Sequence, residues 1–153
     1  MVVFVWFVFI VAPFCLLLHE LGHSLLARTA GAERVEVFLG IGPSLKIQVN
    51  PSFRIHIALW YFLGAMVSYD KREGFSLGDR MAISLGGPLF SLVGAVICWG
   101  IYLYAPYPIV SLMMVFNGWL FIINLIPFSI KGKQSDGYLV MKDAACLIKK
   151  KRY

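Results

Sequence analysis

What this chain has least of is charge: only 14% of its 153 residues are Asp, Glu, Lys or Arg, while 59% are hydrophobic. Soluble domains carry about 25% charged residues. A water-facing surface of ordinary polarity is therefore excluded, and the mean hydropathy of +0.78 points to lipid as the solvent. Cysteine is also sparse. Cys15, Cys98 and Cys146 are odd in number and far apart, which indicates no disulfide framework and leaves them as packing residues. Acidic residues number 8 against 14 basic ones, a net charge of +6. The basic residues stand beside apolar segments instead of forming a continuous face, the pattern of cytoplasmic loops and not of a nucleic-acid surface. Met1 to Leu18 has no charged residue, no basic n-region and no small-residue cleavage site, so this run reads as a retained membrane span and not as a removed leader.

Against this background the polar residues that do occur inside apolar runs carry the information. Leu18-His19-Glu20-Leu21-Gly22-His23 holds two of the 3 histidines in the chain. On a helix, residues four apart lie on one face, so both imidazoles reach one metal ion while Glu20 flanks it. This HExxH spacing is that of a zinc hydrolase, and ionisable groups in a membrane span are costly enough to imply a function.

The rest of the chain reads as a three-transmembrane-helix core with a small membrane-associated antiparallel β element, forming a single domain over residues 1–153. The spacing predicts spans at about 2–27, 81–105 and 109–130, each of the length needed to cross a hydrocarbon layer. Pro13 either opens or kinks the first span near His19 or is a proline that the membrane helix tolerates. Arg34 to Phe38, Leu45 to Val49 and Phe53 to Ile57 alternate polar and apolar with a period of two, placing two or three strands within about 34–61. Ala58 to Tyr69 is too short for a confident span and is expected to continue the strand or to dip as a loop buried against protein; a short fourth span is the alternative. Ser76 to Asp79 has the form of a helix N-cap. Asn117 and Asn124, seven residues apart, share one face of the third span and look into the bundle. Lys131 to Gly137 is a basic loop, followed by a short helix and the basic tail Lys149 to Arg152.

Lys and Arg are absent from the loop between the second and third spans and abundant after the first and third. The charge bias puts the N-terminus outside and the C-terminus in the cytoplasm of a multi-pass cell-membrane protein. His19 and His23 then lie near the cytoplasmic end of the first span, and Asp136 emerges at the same depth. A hydrolytic zinc site needs three protein ligands and an open position. His19 and His23 supply two. The third is Asp136, with His56 as the alternative; Gly137 lets the backbone approach beside Asp136, whereas His56 alternates with strand residues. Glu20, unable to face the metal with the histidines, is the general base.

These features resemble the site-2 protease family of intramembrane zinc metalloproteases, peptidase family M50. The likeness is carried by His19 to Arg28, Leu63 to Val67, Ser84 to Pro88, and Asn124 to Pro127 leading to Asp136-Gly137, in the family's order. It implies one Zn2+ per chain completed by Asp136, and a sheet whose edge pairs with an unwound substrate. The resemblance also makes Ser91, where the family commonly has asparagine, and Asn124 candidate substrate or oxyanion contacts. Two departures stand out: Ser91 itself, and a loop from Pro127 to Asp136 that is longer and more basic than usual, read first as an ordinary basic cytoplasmic loop, with a gate or a contact with anionic lipid as the alternatives. No PDZ or CBS module is expected, so substrate selection falls to the core or to a regulatory membrane partner. The function expected is zinc endopeptidase action near the cytoplasmic face on a membrane-embedded protein or peptide. A non-catalytic partner-binding protein with structural zinc is the alternative.

Overall fold

The computed structural model describes residues 1–130 and 132–150; Lys131 of the basic loop and Lys151 and Arg152 of the basic tail lie outside the described residues. α1 (Val2–Trp6) passes through a π-helical turn (Phe7–Val11) into α2 (Ala12–Thr29). Pro13 gives the turn a physical reason. Having no N–H, it leaves the Phe9 carbonyl without its helical donor, and the Tyr61 hydroxyl donates to that carbonyl instead at 3.1 Å. The effect of Pro13 is thus a local change of pitch upstream of the histidines, with the helix continuous through it.

β1 (Arg34–Asn50) and β2 (Phe53–Asp70) form an antiparallel pair in which both strands bend. The stretch Gly40 to Ser44 is a bend within β1 and not a loop: Gly40 has φ 85°, and a side chain there would strike the backbone of Trp60 and Tyr61. Each strand therefore has two pairing halves. Arg34 to Leu39 faces Asp70 to Ala65, and Ser44 to Gln48 faces Ala58 to Arg54, both antiparallel. Between them, Val35 to Leu39 also pairs with Phe53 to Ile57 with both numbers rising, a short run in the parallel sense. The first half of β1 is consequently flanked on both sides, and residues 65–70 form an outer edge. Ala58 to Tyr69 is strand throughout, the first of the three outcomes considered, and the sheet reaches Asp70 instead of stopping near residue 61.

α3 (Leu77–Tyr104) opens on a capping box, Ser76 Oγ accepting from the Asp79 amide at 3.1 Å while Asp79 accepts from the Ser76 amide at 3.0 Å. It begins at Leu77, ahead of the expected Met81, because the cap and its acid belong to the helix. α4 (Pro108–Leu125) ends before the expected Ile130. Pro127 disfavours a helical conformation at Ile126, which is extended at φ −66° and ψ 122°. Ser129–Ile130 (β3) and Lys133–Gln134 (β4) then make a small hairpin leading to α5 (Asp136–Lys150).

Small residues set the helix crossing. A side-chain carbon at Gly22 would collide with the Gly86 carbonyl and one at Gly86 with the Gly22 carbonyl, so α2 and α3 touch backbone to backbone. One core, Ala27, Ala32, Val35 and Ile83, joins the end of α2 to the sheet and the start of α3. A second, Val11, Cys15 and Leu120, joins the π turn and α2 to α4, beside Asn117, whose amide donates to the Met113 carbonyl at 2.9 Å. Elsewhere apolar side chains face outward, among them Val96, Ile97 and Trp99 of α3 and Val115, Trp119 and Ile122 of α4. Three helices, Val2–Thr29, Leu77–Tyr104 and Pro108–Leu125, are long and apolar enough to cross a membrane.

Candidate metal centre

α2 presents His19 and His23 one turn apart, both buried, with their rings edge to face. Each ring is held through Nδ1. His19 Nδ1 is 2.9 Å from Ser91 Oγ, and His23 Nδ1 donates to the Ile83 carbonyl at 2.7 Å. A carbonyl accepts only, so the His23 proton sits on Nδ1 and Nε2 keeps its lone pair, the tautomer a metal requires. Gly87 of α3 faces both Nε2 atoms, and a side-chain carbon there would fall on them. Its absence leaves the space in front of the two lone pairs open.

Asp136 enters from the opposite side, at the first position of α5. Its Oδ2 lies 3.3 Å from His19 Nε2 and 3.5 Å from His23 Nε2, and the two Nε2 atoms are 3.2 Å apart. Ligands about 2.0–2.1 Å from a tetrahedral zinc stand roughly 3.3 Å from one another, so this triangle fits one such ion. These three are a group of metal-ligand type among the described residues.

Three contacts fix where Asp136 stands. Ser135 caps α5: its hydroxyl donates to the Ile126 carbonyl at 2.7 Å and accepts from the Phe128 and Tyr138 amides at 3.0 and 3.2 Å, tying both ends of the hairpin loop together. Gly137 packs on the Leu125 carbonyl, where a side chain would not fit. Two turns along α5, Asp143 is 2% exposed and pairs with Arg80 of α3 at 3.0 Å.

The three side chains open onto a cleft of about 490 Å³ also lined by Glu20, Ala65, Met66, Val67, Tyr69, Ser84, Asn124, Lys133, Gln134 and Leu139. One wall is the outer edge of β2; another comes from the hairpin. The Tyr69 phenol is held above its ordinary value by burial and then by the nearby Asp136 charge. Of the residues singled out in the sequence, Glu20 and Asn124 line this cleft. Ser91 is fully buried and points at His19. His56 is elsewhere, stacked on Phe38 at 4.4 Å and 3.6 Å from Glu36. Sequence reasoning missed Ser135, Gly87, the Arg80–Asp143 pair and Lys133 as a cleft residue. A signal existed for Ser135, which precedes an acid at a helix start; the others depend on which helices meet.

The profile of Peptidase family M50 matches residues 6–111. The chain belongs to this family. The match covers the HExxH helix, the sheet, all of α3 and the first turn of α4, and stops before Asp136. No curated protein matches the chain. Membership of M50 supports a protease.

Proposed function

We propose that the protein is an intramembrane zinc metalloendopeptidase that cleaves a peptide bond within or beside a transmembrane segment near the cytoplasmic face. The observation that carries this reading is the triangle of His19, His23 and Asp136 beside Glu20 in one open cleft. Family M50 is zinc-dependent in general, and the three residues would hold one Zn2+ per chain. Zinc held there would supply Lewis acidity toward the scissile carbonyl and the attacking water. Glu20 takes a proton from that water at its carboxylate and returns it to the leaving amine. The Ile83 carbonyl holds the His23 imidazole in the ligating tautomer, and Ser91 orients the His19 ring. The free edge of β2 offers backbone donors and acceptors to an unwound substrate strand, and Asn124 at the cleft wall is a candidate contact to it. The outward apolar faces of α2, α3 and α4 support a bilayer environment, with the N-terminus outside and the C-terminus cytoplasmic by charge bias. On this reading residues 1–153 form a single intramembrane metalloprotease domain.

The test is a comparison of membrane-protein fragments in cells making the native protein or Glu20→Gln. The variant is expected to retain zinc and to lose cleavage by at least about a hundredfold. Equal fragment patterns with full zinc occupancy in both would instead favour a non-catalytic, partner-binding role.

A further inference from the structure

The long loop between α4 and α5 is part of the cleft. Its hairpin puts Lys133 and Gln134 in the same wall set as His19, His23, Glu20 and Asp136, together with residues 65–67 and Tyr69 of the β2 edge. A chain lying along that edge at the metal centre runs through the cleft that Lys133 lines. Among the described cleft-lining residues Lys133 is the one that carries a fixed positive charge, since Glu20 and Asp136 are acidic and the others are histidine or uncharged.

We propose that Lys133 is a specificity-determining residue that selects substrates with an acidic side chain in the cytoplasmic flank next to the scissile bond. The proposal rests on the protease reading above and deepens it. Cytoplasmic flanks of transmembrane segments are as a rule rich in Lys and Arg. A cation at the mouth of the cleft therefore repels the ordinary membrane protein while attracting the uncommon acidic one, and discrimination draws on both terms. Gln134 beside it supplies neutral donors and an acceptor to the same stretch of substrate. The hairpin thus gives a core that otherwise reads only backbone a means of choosing among sequences.

The experiment uses the full chain purified in detergent with zinc and two single-span reporter proteins, identical except for a cytoplasmic flank of Asp-Glu-Asp or Lys-Arg-Lys. The native protein is expected to cleave the acidic reporter about fivefold faster, the size of two partly exposed charge interactions. The ratio should shrink in high salt, approach one in Lys133→Gln and invert in Lys133→Glu. Equal rates on the two reporters in the native protein, or an unchanged preference in Lys133→Glu, would overturn the proposal while leaving the protease reading intact. Cleavage of neither reporter above the Glu20→Gln background would overturn both.

Discussion

Two places in this protein bring buried histidine close to carboxylate, and they are not equivalent. His19 and His23 lie 3.3 and 3.5 Å from Asp136; His56 lies 3.6 Å from Glu36. All three rings are at least nine-tenths buried, at 4%, 7% and 7% exposure. The difference is in what holds the rings. At the α2 pair each Nδ1 has a protein partner and both Nε2 atoms converge with a carboxylate oxygen on open space. At His56 the ring lies on Phe38, its Nε2 has no hydrogen-bond partner, and Glu36 is engaged by Arg54 at 3.2 Å. Burial and a nearby acid do not make a metal site. Such a site also needs rings held by partners and lone pairs that converge.

That contrast can be broken most directly at Gly87. Gly87→Ala places a methyl group on the two Nε2 atoms, and zinc content measured on purified protein should fall from about one per chain to near zero. Ser91→Ala keeps the space but frees the His19 ring. A chelator competition titration should show zinc bound about 10–100-fold more weakly. Ser135→Ala acts a step further out by removing the α5 cap, and should lower thermal stability by about 1–2 kcal/mol while leaving zinc stoichiometry intact. At the other histidine, His56→Ala should leave both zinc content and affinity unchanged. Loss of metal in that variant would show that the two regions are coupled.

The histidine pair was legible from the sequence because its spacing is local: a helix puts residues four apart on one face whatever surrounds it. Arg34 to Phe38 was legible for the same reason, since alternation marks a half-buried strand. The strand from Ala58 to Tyr69 was ambiguous. It is apolar on both faces, so periodicity is silent, and pairing of Ala65 to Asp70 with Leu39 to Arg34 decided it. The end of α4 was overestimated because hydropathy runs on to Ile130, whereas the backbone responds to Pro127. For the third ligand, a depth argument favoured Asp136 over His56 without excluding the latter.

By itself, then, the sequence determined the three apolar helices, the presence of a sheet and the two-histidine turn with its glutamate, all features set by spacing along a single stretch of chain. Only the tertiary structure decided that Asp136 closes on both imidazoles, that Ser91 turns toward His19, and that a hairpin lysine stands at the cleft. Those depend on Gly22 meeting Gly86, on Ser135 starting α5 where it does and on Arg80 reaching Asp143. Each is a contact between residues remote in sequence, for which no local periodicity exists to read.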